Sequence, residues 1–201
     1  MKCRVETVGV FGVGKTYYVR RCSSQMRRDN VMFIYEDTTP LKDFMIDGFS
    51  LGRAFGMQRS FYEHAARQFR ACTDDGIIVS DFSILAHQAL YTASLQNAGL
   101  IGVEESRELA MTFDRLEKQL PPLAGIIYCR ADIPTVKQRV VARGRQFEAP
   151  RESYLAELEE RAEELVRSSV CPVLRVDTRL VEPPIREFEQ FILEIEELVS
   201  P

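Results

Sequence analysis

The stretch Gly9-Val10-Phe11-Gly12-Val13-Gly14-Lys15-Thr16 constrains this chain more than any other. It fits the pattern in which two glycines bracket four residues ahead of Lys and Ser/Thr. Small residues let the backbone turn tightly so that successive N–H groups point inward, and a helix beginning at the loop adds the positive end of its dipole. Such a cradle suits an anion with several phosphate oxygens. Lys15 would contact the outer phosphates, and the Thr16 hydroxyl would be a ligand for magnesium. The flanks agree: Val5–Phe11 is apolar enough for a strand, and Tyr17–Met26 continues as a helix until Arg27, Arg28, Asp29 and Asn30 interrupt it. Strand, loop and helix in that order predict a nucleotide site built from Gly9, Gly12, Val13, Gly14, Lys15, Thr16 and Tyr17.

With 201 residues, 45% of them apolar, the chain is long enough for one well-buried domain and short for two, so a single domain over 1–201 is expected. A net charge of −4 argues against a nucleic-acid partner, because polyanion binding needs an excess of positive charge. No apolar run reaches the length of a membrane span, and Glu6, Gly9 and Gly14-Lys15 interrupt the N-terminal apolar stretch that a secretory signal would need. A cytoplasmic protein with no membrane partner is the expectation. The five cysteines, Cys3, Cys22, Cys72, Cys129 and Cys171, show no close pairing and no Cys-x-x-Cys, so free thiols are expected.

Short apolar segments recur at Val5–Phe11, Val31–Tyr35, Gly76–Ser80, Gly125–Cys129 and Val173–Val176, with helical or irregular sequence between them. Runs such as Ile77-Ile78-Val79 and Ile126-Ile127-Tyr128 suit strands covered on both faces. This predicts an α/β fold with a five-stranded parallel sheet flanked by helices. Helices are expected over Thr135–Arg143, over Arg151–Ser169 with Leu155, Leu158, Ala162 and Leu165 as its core face, and near the C-terminus with Ile185, Phe188, Phe191, Ile192, Ile195 and Leu198 inward. Ligands of such sheets collect at the carboxyl ends of the strands. The loop after the first strand, Glu36-Asp37 after the second, Asp81 after the third and Arg130-Ala131-Asp132 after the fourth all fall there.

Arg139 and Arg143 share one helix face, and Gly144 allows Arg145 to approach the same point. Guanidinium groups on a closing segment stabilise the charge spread over a transferring phosphoryl group, so residues 139–151 read as a lid. Glu36 is placed to take a proton from an acceptor hydroxyl, with Asp37 as its competitor. Asp81 is placed to hold magnesium; a helix cap or turn role remains open for either carboxylate. Residues 42–70 read as helical and rich in aromatics, where Phe55 can wall a base-sized pocket and Gln58 can pair its amide with a base edge. His64 and His87 lack a nearby nucleophile or metal-ligand spacing and receive no role. The acidic run from Glu157 to Glu164 reads as a solvated helix face.

In order and type, these motifs resemble the deoxynucleoside kinase family across nearly the whole chain. The residues carrying the resemblance are Gly9–Thr16, Glu36, Arg53-Ala54-Phe55 with Gln58, Asp81-Phe82-Ser83, and Arg139, Arg143, Gly144, Arg145 and Glu148 followed by Tyr154-Leu155 and Leu158. The resemblance implies a three-layer P-loop kinase fold with an arginine-rich lid. It implies transfer of the terminal phosphate of ATP to the 5′-hydroxyl of a deoxynucleoside with Mg2+, for nucleotide salvage, with a leaning toward purines. Glu36 would be the base, Lys15 and the lid arginines would hold the transferring group, Thr16 and Asp81 would attend the metal, and Glu148 would bind the sugar. A homodimer is implied as well. The chain departs from the family at Phe82, where many members have arginine, and at Asp47, about where many have a sugar-binding tyrosine. Two other readings stand beside this one: a thymidylate-type monophosphate kinase using Arg53, Arg59 and Arg67, and a nucleotide-binding regulatory module without transfer activity.

Overall fold

The computed structural model describes residues 2–41, 52–143, 151–180 and 184–200. Its strands are β1 (Lys2–Val8), β2 (Val31–Ile34), β3 (Gly76–Ser80), β4 (Leu123–Arg130) and β5 (Val173–Asp177). They form one sheet in the order β2-β3-β1-β4-β5, with every pairing parallel. Parallel neighbours require crossovers, and helices supply them: α1 (Lys15–Gln25), α2 (Ala54–Ala71), α4 (Val103–Glu117), α5 (Ile133–Ala142), α6 (Glu152–Ser168) and α7 (Ile185–Val199). Between α2 and α4 lies α3, a continuous helical stretch made of Ile84–Ala86, a π-helical segment His87–Thr92 and Ala93–Asn97. The predicted α/β architecture is the observed one.

Central β1, β3 and β4 are almost entirely buried, whereas edge strands β2 and β5 are half-buried. Alternation splits the interior in two. Ile77 and Val79 face a core shared with Tyr18, Leu158 and Phe188, while Ile78 between them joins a second core with Phe69, Ile84 and Leu109. Helix α7 buries Phe188, Phe191, Ile192 and Ile195 of its predicted face, each worth about 1.5–3 kcal/mol, but leaves Ile185 half-buried and Leu198, in its last turn, exposed to solvent. It can approach β4 closely because Gly125 is there: a Cβ at that position would stand 2.7 Å from Phe191 Cζ.

Strand β1 begins and ends earlier than the apolar pattern predicted. Polar Arg4 and Glu6 belong to it, fully buried, because Arg4 Nε donates to Glu6 Oε1 at 2.6 Å and its other nitrogens reach Glu117 and the Pro121 carbonyl. Gly9–Phe11 falls instead in the loop. The acidic run on α6 is also more than a solvated face: Glu159 accepts from Tyr128 Oη at 2.8 Å and pairs with Arg130, and Glu163 pairs with Arg175, tying α6 to β4 and β5. Of the predicted helix over 42–70, residues 42–51 lie outside the described residues, Gly52 and Arg53 form a turn, and α2 accounts for the rest. Among the described residues all five cysteines are free thiols, and no helix is long and apolar enough to cross a membrane.

Candidate active site

The loop between β1 and α1 passes through three glycines with left-handed backbones: Gly9 at φ +141°, Gly12 at +80° and Gly14 at +112°. Space forbids a side chain at two of them, since a Cβ on Gly9 would lie 2.5 Å from the Cys129 carbonyl oxygen and one on Gly12 would lie 2.5 Å from Val140 Cγ2. Gly14 is the N-cap of α1 and offers no capping side chain, so the first-turn N–H groups face the loop unclaimed by a side-chain cap. Lys15 Nζ donates to the carbonyls of Gly9 and Val10 at 2.8 and 3.1 Å. Burial lowers the Lys15 pKa, against the opposing pull of Glu36, Cys129 and Asp81.

This loop forms one wall of a cavity of about 170 Å³. Gly9, Gly12, Gly14, Lys15 and Thr16 line it, together with Glu36, Gln58, Asp81 and Arg143. Residues from the ends of β1, β2 and β3 therefore meet those of α1 and α2 at one point, as the sheet topology requires. Val13 and Tyr17 do not line it. The Val13 carbonyl instead accepts from Thr178 and from Arg139, and Tyr17 is exposed. Phe55 is half-buried against the second core, and Met57, Phe61, Tyr91 and Leu95 supply the apolar wall in its place.

The carboxylates are joined. The Glu36 N–H donates to Asp81 Oδ1 at 2.7 Å, and the Thr16 side chain acts on the same carboxylate to lower its pKa. Burial raises the Asp81 pKa, Thr16 and the bond from the Glu36 N–H oppose the rise, and the Glu36 charge adds to it. For Glu36 burial also acts upward, but the pull of His87, Lys15 and His64 outweighs it and holds the carboxyl below the ordinary glutamate value. Thr16 and Asp81 present adjacent hard oxygens of the kind magnesium takes. Gln58 is 3% exposed, and its Oε1 is buried without a hydrogen-bond partner among the described residues.

Of the arginines expected to form a lid, Arg143 lines the cavity, whereas Arg139 is turned away from it. Its guanidinium donates to the carbonyls of Val13 at 2.6 Å and Thr178 at 2.7 Å, so it braces the loop against the turn after β5. Arg145, Glu148 and Asp47 lie outside the described residues. Sequence reasoning missed His87, Tyr91 and Thr38, which also line the cavity, and named Tyr154 for its resemblance without giving it a place there. A histidine and a tyrosine at i and i+4 after Asp81-Phe82-Ser83 were the available signal, hidden because the π-helical turn is not visible in an apolar pattern.

A family model for deoxynucleoside kinase matches residues 7–200. The chain belongs to the deoxynucleoside kinase family. As a deoxynucleoside kinase it is an enzyme of the phosphotransferase class, in keeping with a phosphate loop facing a carboxylate across a cavity. Solved structures agree on the fold. The deoxyadenosine kinase of M. mycoides with bound dCTP superposes with a TM-score of 0.75 at 17% identity, covering 96% of this chain and 99% of that one. The same enzyme with bound dATP gives 0.73 at 18% identity, covering 98% and 100%. No curated protein sequence matches the chain.

Proposed function

We propose that this kinase transfers the terminal phosphate of ATP to the 5′-hydroxyl of a deoxynucleoside, with a preference for purines, in nucleotide salvage. One observation carries the reading: Glu36, the buried Gln58 with its Oε1 unpartnered among the described residues, and the phosphate loop face a single cavity. Donor phosphates lie on the loop N–H groups and Lys15, with Arg143 closing over the transferring group. Gln58 pairs its carbonyl and amide with an exocyclic amine and a ring nitrogen, the bidentate match that adenine offers. Met57, Phe61, Tyr91 and Leu95 enclose the base. That neighbours of known structure are deoxyadenosine kinases bound to dATP and dCTP supports this assignment of ligand class.

In the reaction, the 5′-hydroxyl proton passes to the Glu36 carboxylate as the hydroxyl oxygen bonds to the γ-phosphorus, and the bond from that phosphorus to the ADP oxygen breaks. Magnesium, held by Thr16 and Asp81, would neutralise charge on the donor phosphates. Arg145 and Glu148 complete the lid and the sugar contact in this reading. Arg139 acts from outside the cavity by holding the loop in shape. The enzyme works as a cytoplasmic homodimer over a single domain.

The four natural deoxynucleosides, each supplied with ATP and magnesium, test the proposal. Acceptor-dependent ADP formation, strongest with a purine, is expected; no stimulation by any of them refutes it. A monophosphate kinase would need cations for the acceptor phosphate, but among the described residues Arg53, Arg59 and Arg67 do not line the cavity, and Arg59 pairs with Glu63 and Glu108. Comparing a deoxynucleoside with its monophosphate decides between the two. ATP binding with no acceptor-dependent product would instead favour the regulatory module.

A further inference from the structure

Helix α3 starts with Ser83, whose Oγ accepts from the Ala86 N–H at 2.8 Å, and widens at once into a π-helical turn over His87–Thr92. Such turns add a residue to the helical repeat and re-aim side chains, often at functional sites. Here the turn sends His87 and Tyr91 into the same cavity wall, their rings 5.3 Å apart. His87 is held on several sides. Its ring stacks on Phe61 with centroids 4.7 Å apart and planes 22° apart, and Tyr62 meets it edge-on at 6.4 Å. A ring fixed this way cannot swing to solvent, and its Nε2 stands 3.7 Å from Glu36 Oε1. That is longer than a hydrogen bond and within ion-pair reach, a spacing common for catalytic pairs in the absence of substrate.

Of the other basic groups that act on Glu36, Lys15 is turned to the carbonyls of Gly9 and Val10, and His64, whose Nε2 is buried with no hydrogen-bond partner among the described residues, exerts the weaker pull. Next to Asp81 on the turn after β3, position 82 brings an aromatic ring rather than a cation, since Phe82 is buried against Phe69 at 5.2 Å. A base carboxylate needs one oxygen held so that the other points at the proton it takes. We propose that His87 is the positioning residue for Glu36, donating from Nε2 to Oε1 so that the second carboxylate oxygen faces the acceptor hydroxyl. The inference rests on the reading of Glu36 as the base.

Four variants test it: His87→Phe, His87→Gln, Glu36→Gln and the double variant Glu36→Gln/His87→Phe. Phenylalanine keeps the stack on Phe61 and loses the donor; glutamine keeps a nitrogen donor at the place of Nε2 and loses the stack. The expected result is a kcat loss of roughly tenfold or more in His87→Phe, with KM for ATP and deoxynucleoside within about twofold, and recovery of most of that loss in His87→Gln. In the Glu36→Gln background, His87→Phe should change kcat by less than about twofold, because residues acting as a unit are not additive. Full activity in His87→Phe, a glutamine variant no better than the phenylalanine one, or a loss confined to KM overturns the inference while the reading of Glu36 stands. So does an undiminished His87→Phe effect on top of Glu36→Gln. Normal turnover in Glu36→Gln itself overturns both.

Discussion

The backbone N–H of Glu36 donates to the Asp81 carboxylate at 2.7 Å, so the end of β2 and the end of β3 are locked together where both chemical groups emerge. Asp81 gains a partner for burial, and Glu36 gains a fixed backbone from which its side chain reaches His87. If Asp81 also holds magnesium with Thr16, Asp81→Asn should raise the magnesium concentration needed for half-maximal activity by roughly tenfold or more. A magnesium titration of the two proteins checks this, and an unchanged midpoint removes Asp81 from the metal.

Glu36 has a folded-state pKa below its ordinary value of 4.5, so its carboxylate stays charged to lower pH than a free glutamate. The sign for stability follows: the folded state binds fewer protons than the unfolded one, and the contribution is complete above that ordinary value and lost as pH falls through the lowered one. For catalysis, the acid limb of kcat/KM attributable to the base should lie below 4.5. Removing the His87 donor in His87→Phe should move that limb upward. A pH–rate profile of both proteins measures it, and a limb at or above the ordinary glutamate value in the wild type contradicts the assignment.

Gly9→Ala should be among the most damaging single changes in the loop. It asks alanine to adopt φ +141° and puts a methyl 2.5 Å from the Cys129 carbonyl oxygen, which is backbone and cannot move aside. A loss of about 1–3 kcal/mol of stability, together with weakened ATP binding, is expected. Denaturant unfolding and ATP titration show whether both occur; a protein of wild-type stability that binds ATP normally would mean the loop can relax around the methyl.

Arg4→Met should be strongly destabilising although the residue is far from the cavity. It strips the cation from Glu6, which is fully buried and otherwise accepts only from Ser83 Oγ at 2.6 Å and the Leu85 N–H at 3.3 Å among the described residues. Leaving one partner of a buried pair costs about 3–5 kcal/mol, a fall in Tm on the order of 10 °C for a chain of this size. Adding Glu6→Gln should recover part of the loss. Thermal melts of the single and double variants test the pairing, and strictly additive losses would dissolve it.

Thiol labelling should follow burial. Cys22 and Cys129 are buried and their thiols are pushed up to about 12 by that burial, while Cys72 and Cys171 are only half-buried. Iodoacetamide at pH 8 should modify Cys72 and Cys171 well before Cys3, Cys22 and Cys129, and all five only after unfolding. Peptide mass spectrometry reads the order directly. Equal labelling of Cys129 in the native protein would show that the strand beneath the phosphate loop opens readily.

Much of the site was legible in the chain because its parts are local. A glycine loop between a strand and a helix, a carboxylate just past β2 and another just past β3 are each recognisable from neighbours in sequence, and the parallel sheet then brings them to one edge. Gln58 was legible as an amide among aromatics. Phe55 was not separable from Met57 and Phe61, since which side of a helix faces a cavity depends on how the helix is docked. Arg139 shows the same limit: its spacing from Arg143 places both on one face, yet the turn after β5 offers Thr178 and draws it away from the cavity.

What the amino-acid order determined alone is the element sequence, the parallel α/β class and the phosphate loop, because periodicity and glycine chemistry act over a few residues. Tertiary structure decided which polar groups meet. Glu36 finds His87 across a gap of 51 positions, and Arg4 on β1 finds Glu117 at the end of α4. Such pairs have no sequence signature, since a buried charge is tolerated only where the fold supplies its partner, and that partner comes from another element.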